Sequence, residues 1–429
     1  MPATVLVVTL LLLAVTLASG LWIGVSLFYV GGISLFSFTS LPVERIVGSV
    51  IWNNTSSSTL MALPLFIMMG ELLVKTRLSE DLFDGLTPWL GRLPGGLLHV
   101  NVVACALFAA ITGSVNATTA TVGKITIPEF EKRGYSDSLS IGSLTASGTL
   151  GILIPPSMPM LIYGVVAQAS IGKLFIAGLI PGLGLMFLFS LYIAVMSFLD
   201  RKEGGEVLHF SWGERFRSLP KILPVAALIA FVLGSIYTGW ATPTEAAAIG
   251  VLGASVLALL TGCLDRKIFW DCVTGTVKTN CMIMLILIGA SFFSVALGFL
   301  GLPKYISESI IALGAGKYTV MALITVVYLF LGCLIDGYSM IVMTVPIFLP
   351  LVTALGLDSI WFGIYVVLLV QIANITPPIG FNLFLVTGIC RHKIGFISKA
   401  VMPFIAMMIA FAFLMTAFPQ IVLYLPSLM

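Results

Sequence analysis

Charge is scarce in this sequence. Lys, Arg, Asp and Glu make up 9% of its 429 residues, and the net charge at pH 7 is +3. A soluble domain carries about a quarter charged residues. This chain cannot clothe a water-exposed surface, and so small a net charge gives no footing for a nucleic-acid partner. The three histidines form no cluster, which leaves out a transition-metal centre. The six cysteines (Cys105, Cys263, Cys272, Cys281, Cys333, Cys390) are scattered in apolar segments without a C-x-x-C pair. They read as small buried hydrophobes. No G-x4-G-K-[ST] stretch occurs: Gly123-Lys124 is followed by Ile125 and lacks the upstream glycine, so the chain holds no ATP in a P-loop of its own. No apolar segment carries a series of arginines and no TVGYG-type filter is present, which argues against a voltage sensor and a potassium channel. No nucleophile–base pair speaks for an enzyme.

Apolar residues, in contrast, make up 59% of the chain. They come in long continuous runs, so the backbone is satisfied in membrane helices and not in the alternating strands of a barrel. Expected spans are Val5–Gly24, Thr59–Val74, Gly95–Ile111, Leu174–Leu199, Ile222–Gly239, Glu245–Gly262, Met282–Leu300, Val320–Leu334, Trp361–Ile372 with the residues just after it, and Ala400–Leu423. The first has no basic n-region and no A-x-A-like site, and reads as a membrane helix and not as a secretory signal. Segments 113–170 and 335–390 are interrupted by Gly, Pro, Asn and Thr, the pattern of hairpins and broken helices. Glu80–Arg92 has charges on one face and Leu82, Phe83, Leu86, Trp89 and Leu90 on the other. It reads as an interfacial helix anchored by Lys75, Arg77 and Trp89.

The positive-inside rule places Asp200–Lys221, with Arg201, Lys202, Arg215, Arg217 and Lys221, in the cytoplasm. Asp265-Arg266-Lys267, and Lys124, Lys132 and Arg133, fall on the same side. A loose internal repeat flanks that loop. One copy runs from Gly113-Ser-Val-Asn116 through Ile127-Pro128 to Pro155-Pro156; the other runs from Asp336-Gly-Tyr-Ser339 through Val345-Pro346 to Pro377-Pro378. The resulting domain organisation is 1–94 scaffold helices, 95–199 first transport repeat, 200–221 basic loop, 222–313 second scaffold segment and 314–429 second transport repeat.

The chemistry-bearing stretches lie in these copies. GSVNATTATVG (113–123) holds Ser114, Asn116, Thr118, Thr119 and Thr121 between apolar arms. Neutral oxygens of this kind suit a hard cation such as sodium, and they also suit close helix packing. In SGTLGILIPPS (147–157), Pro155 and Pro156 remove two backbone donors and free upstream carbonyls, with Thr149 and Ser157 beside them. Gln371, Asn374, Thr376 and Asn382 flank Pro377-Pro378 in the same way. Asp336 follows an apolar run; it either draws a cation at membrane depth or caps the next helix. Glu245 reads as a first-turn residue after Pro243, and Glu71 as the partner of Lys75 one turn on.

These motifs resemble the large membrane subunit of TRAP transporters (tripartite ATP-independent periplasmic transporters). The likeness is carried by 78–123, Pro128-Glu-Phe-Glu-Lys-Arg-Gly-Tyr, Gly148-Thr-Leu-Gly-Ile-Leu-Ile-Pro-Pro-Ser, Ala241-Thr-Pro-Thr-Glu-Ala-Ala-Ala, Val345-Pro-Ile-Phe-Leu-Pro and Thr376-Pro-Pro-Ile-Gly-Phe-Asn-Leu-Phe. It implies an all-α polytopic membrane protein of the ion-transporter superfamily, with inverted repeats, a scaffold and an elevator-type transport domain. Two re-entrant hairpins (about Leu107–Gly134 and Gly332–Leu357) and two broken helices are implied with it. The resemblance assigns sodium to Ser114, Asn116, Gly148, Ile152 and Pro155 in one site. The other would use Asp336, Gly337, Ser339, Ala373, Thr376 and Pro377. Thr118, Thr119, Ser157, Asn374, Gly380 and Asn382 are expected to face substrate. The family usually has a Ser/Ala-rich first tip, and Val115-Asn116 departs from it. Na+ is the expected coupling ion, with no organic cofactor. The expected partners are a small TRAP membrane subunit, a periplasmic substrate-binding protein, the lipid bilayer of the bacterial inner membrane and a small organic acid. A fused small subunit would need a domain this length does not hold. Two other readings stay open: a sodium/dicarboxylate symporter that needs no binding protein, and the membrane subunit of an ATP-driven importer.

Overall fold

The computed structural model describes residues 2–76, 78–200, 205, 210–312, 314 and 316–429. The chain enters as α1 (Pro2–Ala18), α2 (Ile23–Phe38), α3 (Val43–Thr55), α4 (Ala62–Val74) and α5 (Leu78–Leu90). A first turned-back pair, α6 (Leu97–Thr112) and α7 (Val115–Lys132), leads to α8 (Asp137–Ser147), α9 (Met158–Val166) and the long α10 (Ile171–Leu199). Then come α11 (Trp212–Tyr237), α12 (Pro243–Leu260), α13 (Arg266–Phe299) and α14 (Leu302–Ala312). A second turned-back pair, α15 (Lys317–Leu331) and α16 (Gly337–Ala354), precedes α17 (Ser359–Ala373), α18 (Phe381–Cys390), α19 (Ile394–Ala417) and the short α20 (Gln420–Leu423). Among the described residues, α10, α11, α12, α13, α16 and α19 are long and apolar enough to cross a membrane. The protein is a multi-pass membrane protein.

Several ends differ from the hydropathy reading, for local reasons. The first helix stops at Ala18, because Gly20 takes φ +78° and turns the chain before α2. The seventh expected span, from Met282, begins well before that residue: α13 is 34 residues long and starts where the Asp265 carboxylate accepts the Ile268 N–H at 2.6 Å. At about 1.5 Å per residue it outreaches the hydrocarbon, so its polar first turns need not be apolar. Both turned-back pairs start earlier than expected, at Leu97 and Lys317 and not near Leu107 and Gly332, which lies in the second tip. Cys105, Cys272 and Cys390 are buried as expected, but Cys281 is exposed on α13.

Glycine sets the closest crossing. A Cβ on Gly24 of α2 would stand 2.5 Å from the Leu285 carbonyl oxygen, and one on Gly289 of α13 would stand 2.0 Å from that of Gly24. Only two bare backbones fit there. Around this seam α1–α4 and α12–α14 form one packed group, and α5 and α11 lie against each other beside it. The other helices pack chiefly among themselves: α8 on α19, α7 on α18, and α17 on both α16 and α10.

The segment expected at the interface is clamped onto α11. Leu82, Phe83 and Leu86 are buried. Trp89 donates to Ser218 Oγ at 3.2 Å, Lys221 pairs with Asp84 at 2.8 Å, and Arg215 Nε donates to the Pro88 carbonyl at 3.1 Å. Arg215 also lies 4.7 Å from the Trp212 ring. Of the other anchors, Lys75 ends α4, and Arg77 lies outside the described residues, as do Arg201 and Lys202. Replacing Arg215 with alanine leaves the Pro88 carbonyl without its charged donor. We expect a loss of about 2 kcal/mol, read as a lower melting temperature of the purified protein.

Candidate functional site

Each turned-back pair ends in a tip held by its own first turn. At the first, Gly113 takes φ +57° and Ser114 caps α7, its hydroxyl accepting the Ala117 N–H at 3.4 Å. The Thr112 and Thr118 hydroxyls meet at 3.0 Å. At the second, the Asp336 carboxylate accepts the Tyr338 and Ser339 N–H groups at 3.0 and 3.2 Å and the Ser339 hydroxyl at 2.5 Å. The capping role weighed for Asp336 is therefore realised. Tyr328 and Thr344, on opposite arms, join through their hydroxyls.

Opposite each tip a helix breaks. The α8 helix gives way at Ser147 to one 3-10 turn (Gly148–Ile152), then to Pro155-Pro156, and α9 starts at Met158. The α17 helix ends at Ala373, Pro377-Pro378 come next, and α18 starts at Phe381. Proline cannot donate to the preceding turn, and side chains take up part of the deficit. Ser157 Oγ donates to the Ile152 carbonyl, Thr149 Oγ1 to that of Ala146 at 2.7 Å, Thr376 Oγ1 to that of Ile372 at 2.7 Å, and Asn374 Nδ2 to that of Val370 at 2.9 Å.

Tip and break touch through their smallest residues. A Cβ on Gly151 would lie 2.4 Å from the Ala109 Cβ; one on Gly332 would lie 2.4 Å from the Ala373 Cβ. The glycine belongs to the break in the first contact and to the tip in the second. Further in, a Cβ on Gly148 would fall 2.0 Å from Thr119 Oγ1, and one on Gly337 would meet Val370 at 2.5 Å and the Asn374 amide at 3.3 Å. Gly113 lies close to the Pro156 carbonyl and Met158. Asn382 Nδ2 ties the second break to α8, donating to the Thr145 carbonyl at 2.9 Å, while the Asn382 N–H donates across its own break to the Asn374 carbonyl at 3.0 Å.

The four helices of this crossing hold buried polar atoms with no hydrogen-bond partner among the described residues. They include Thr119 Oγ1 on α7, Ser147 Oγ on α8, both amide atoms of Gln371 on α17, and Asn382 Oδ1 on α18. Each such group costs about 1–3 kcal/mol unless water, an ion or a ligand meets it. Hydroxyl and amide oxygens of this kind are hard donors that suit a hard cation. Of the residues expected to bind, Thr118, Thr119, Gly148, Ile152, Pro155, Ser157, Ser339, Ala373, Gly380 and Asn382 are buried in or around the crossing. Asn116 is instead exposed on the first turn of α7.

Residues 10–421 match the family described as the tripartite ATP-independent periplasmic transporter, DctM component. The chain belongs to this family. Among DctM relatives, the C4-dicarboxylate TRAP transporter large permease protein of Pseudomonas aeruginosa is 32% identical over 402 residues, 92% of each chain. The sialic acid TRAP transporter large permease protein of Vibrio cholerae is 30% identical over 415 residues, 96% of each. An isethionate TRAP transporter permease protein of Oleidesulfovibrio alaskensis is 35% identical over 401 residues, 90% of this chain and 60% of that protein. The DctM-family chain shares its fold with the YdaH transporter of Alcanivorax borkumensis, at a TM-score of 0.64 and 15% identity over 88% of each chain.

Two larger cavities flank the crossing. One of about 520 Å3 is lined by Asn53, Asn54, Ser57, Gln168, Ser291 and Ser294 among others. Another of about 620 Å3 is lined by Glu80, Asp84, Lys124, Glu129 and Arg133 and includes Phe210 of the basic loop. Two crossing residues, Ser147 and Gln371, were left out of the expected site. Gln371 carried a signal, an amide inside an apolar run; Ser147 carried only its place just before the Gly-Thr-Leu-Gly turn.

Proposed function

We propose that this DctM-family permease imports a small organic acid delivered by a periplasmic binding protein, in symport with sodium, by an elevator movement. The observation that carries the proposal is the paired crossing: two tips, each against its own Pro-Pro break, with unpartnered polar atoms on the helices that cross there. Sodium would bind where tip and break meet, using hydroxyls such as that of Thr119 with carbonyls upstream of Pro155 and Pro377. The ion would draw tip and break together and so complete a site for the carboxylate between Asn374, Asn382 and the start of α9. A desolvated anion is costly to carry alone, and the cation offsets its charge. Higher affinity for one ligand in the presence of the other couples the two gradients.

In this reading the crossing helices α6–α10 and α15–α20 form the moving body, a pair of inverted repeats with re-entrant tips, and α1–α5 with α11–α14 form the scaffold. The basic side, with Lys124, Arg133 and Arg215, faces the cytoplasm of an inner membrane. The cavity lined by Asn53 and Ser291 then opens toward the periplasm, and a small membrane subunit completes the scaffold.

Thr119→Ala and Thr376→Ala test the sodium assignment. Each is expected to raise the sodium concentration for half-maximal uptake about tenfold, roughly 1.4 kcal/mol for one weakened oxygen contact, with expression unchanged. Unaltered sodium affinity in both variants would refute it.

A further inference from the structure

Glu71 stands outside both crossings. It lies on α4, packed with α12 and α13, and faces a cavity of about 90 Å3 whose far wall is Thr112 and Ser114 of one tip and Tyr338 of the other. The contact there is close: a Cβ on neighbouring Gly70 would come within 3.0 Å of both Cα and the carbonyl oxygen of Thr112. Behind Glu71, α13 makes room for the carboxyl group. A Cβ on Gly275 would stand 3.1 Å from the Glu71 Cδ, with both oxygens at 3.1 and 3.2 Å. The Gly275 backbone therefore meets the carboxyl closely, and Glu71 shares one cavity with residues of both tips.

Lys75, one turn on as the sequence reading has it, acts on Glu71 electrostatically, without an ion-pair contact within 4 Å among the described residues. Lys75 is the one basic group on its own helix face, at the α4 end. On α13, Asp271 and Lys278 are exposed, and Thr279 is the nearest polar lining residue. The tips add hydroxyls only, since Asp336 is committed to its own cap. A half-buried carboxylate beside a hydroxyl-lined cavity, with Lys75 acting on it through space and not in an ion-pair contact, is open to a cation.

We propose that Glu71 is a further cation-binding group, on the scaffold side, which takes a monovalent cation, a sodium ion or a proton, while both tips lie against it. The hydroxyls of Thr112, Ser114, Thr279 and Tyr338 supply the neutral part of the site. Because its walls come from α4, α13 and both tips, the site is complete in this arrangement alone, and the cation favours it over any arrangement in which the tips have left. The inference rests on the transport reading for the movement of the tips, and its test does not.

The test is thermal unfolding of the purified chain in detergent, with sodium chloride exchanged for choline chloride at constant ionic strength, from about pH 5 to about pH 8. A cation that binds the folded state raises the melting temperature with its concentration. If the ion is sodium, Glu71→Gln reduces the slope of melting temperature against the logarithm of sodium concentration. If it is a proton, Glu71→Gln keeps that slope and removes part of the pH dependence. Glu44→Gln, an exposed carboxylate on α3, changes neither. Should Glu71→Gln fail to fold, Gly275→Ala keeps the carboxyl but crowds it, and the same signatures are expected in weaker form. A sodium and pH response left intact by both variants overturns the role of Glu71 alone. A wild-type chain that responds to neither ion overturns Glu71 and the crossing sites together.

Discussion

Gly148→Val is expected to abolish sodium-dependent uptake. The Cβ it adds would overlap the Thr119 hydroxyl, 2.0 Å away, and the valine methyls would extend further into the meeting of tip and break. Overpacking of this kind costs about 1–3 kcal/mol, roughly a five- to 150-fold loss of the joined arrangement. A paired variant separates space from chemistry. In Gly148→Ala/Thr119→Ala the overlapping oxygen is gone, and the nearest remaining atom of residue 119 is its Cβ at 3.1 Å. This protein should express and melt nearly as the wild type does. Its half-saturating sodium concentration should nevertheless remain about tenfold higher, because Thr119 Oγ1, buried and without a hydrogen-bond partner among the described residues, is missing. Recovery of wild-type sodium affinity in the paired variant would reduce Thr119 to a packing residue.

Two substitutions at Asp336 give the second large effect, and they divide cap from charge. The carboxylate holds two N–H groups and the Ser339 hydroxyl at the start of α16. Asp336→Ala removes the cap, about 1–2 kcal/mol of helix stability, and loosens the tip; uptake should fall at least tenfold. Asp336→Asn keeps a capping oxygen and removes the negative charge. If the charge helps to draw sodium to the second crossing, the asparagine variant loses sodium affinity without losing thermal stability. Near-normal sodium dependence in Asp336→Asn, with impaired uptake in Asp336→Ala, would leave only the cap.

The parts of the site legible in the sequence are those fixed by the backbone. Proline removes a donor wherever it stands, so Pro155-Pro156 and Pro377-Pro378 announced the breaks. Asp336-Gly337 and Gly113-Ser114 announced the tips, since a capping side chain acts within three residues of itself. Helical phase was less legible. Asn116 and Thr119 differ by less than one turn, and only the position of Gly148 across the crossing decides which one is buried. Glu71 is a second case. Its spacing to Lys75 is local, whereas Gly275, Thr112 and Tyr338, which set its surroundings, come from distant parts of the chain. Hydropathy also misjudged α13, whose capped and polar first turns continue the helix well before the apolar run begins.

The central claim is sodium-driven, binding-protein-dependent transport. Its most direct test is uptake of candidate organic acids into proteoliposomes that hold this chain with its small membrane subunit, with and without its binding protein, and with an inward sodium gradient imposed or absent. The account predicts uptake that requires both the sodium gradient and the binding protein and proceeds without ATP. Uptake that persists without the binding protein, or that ignores the sodium gradient, would contradict it.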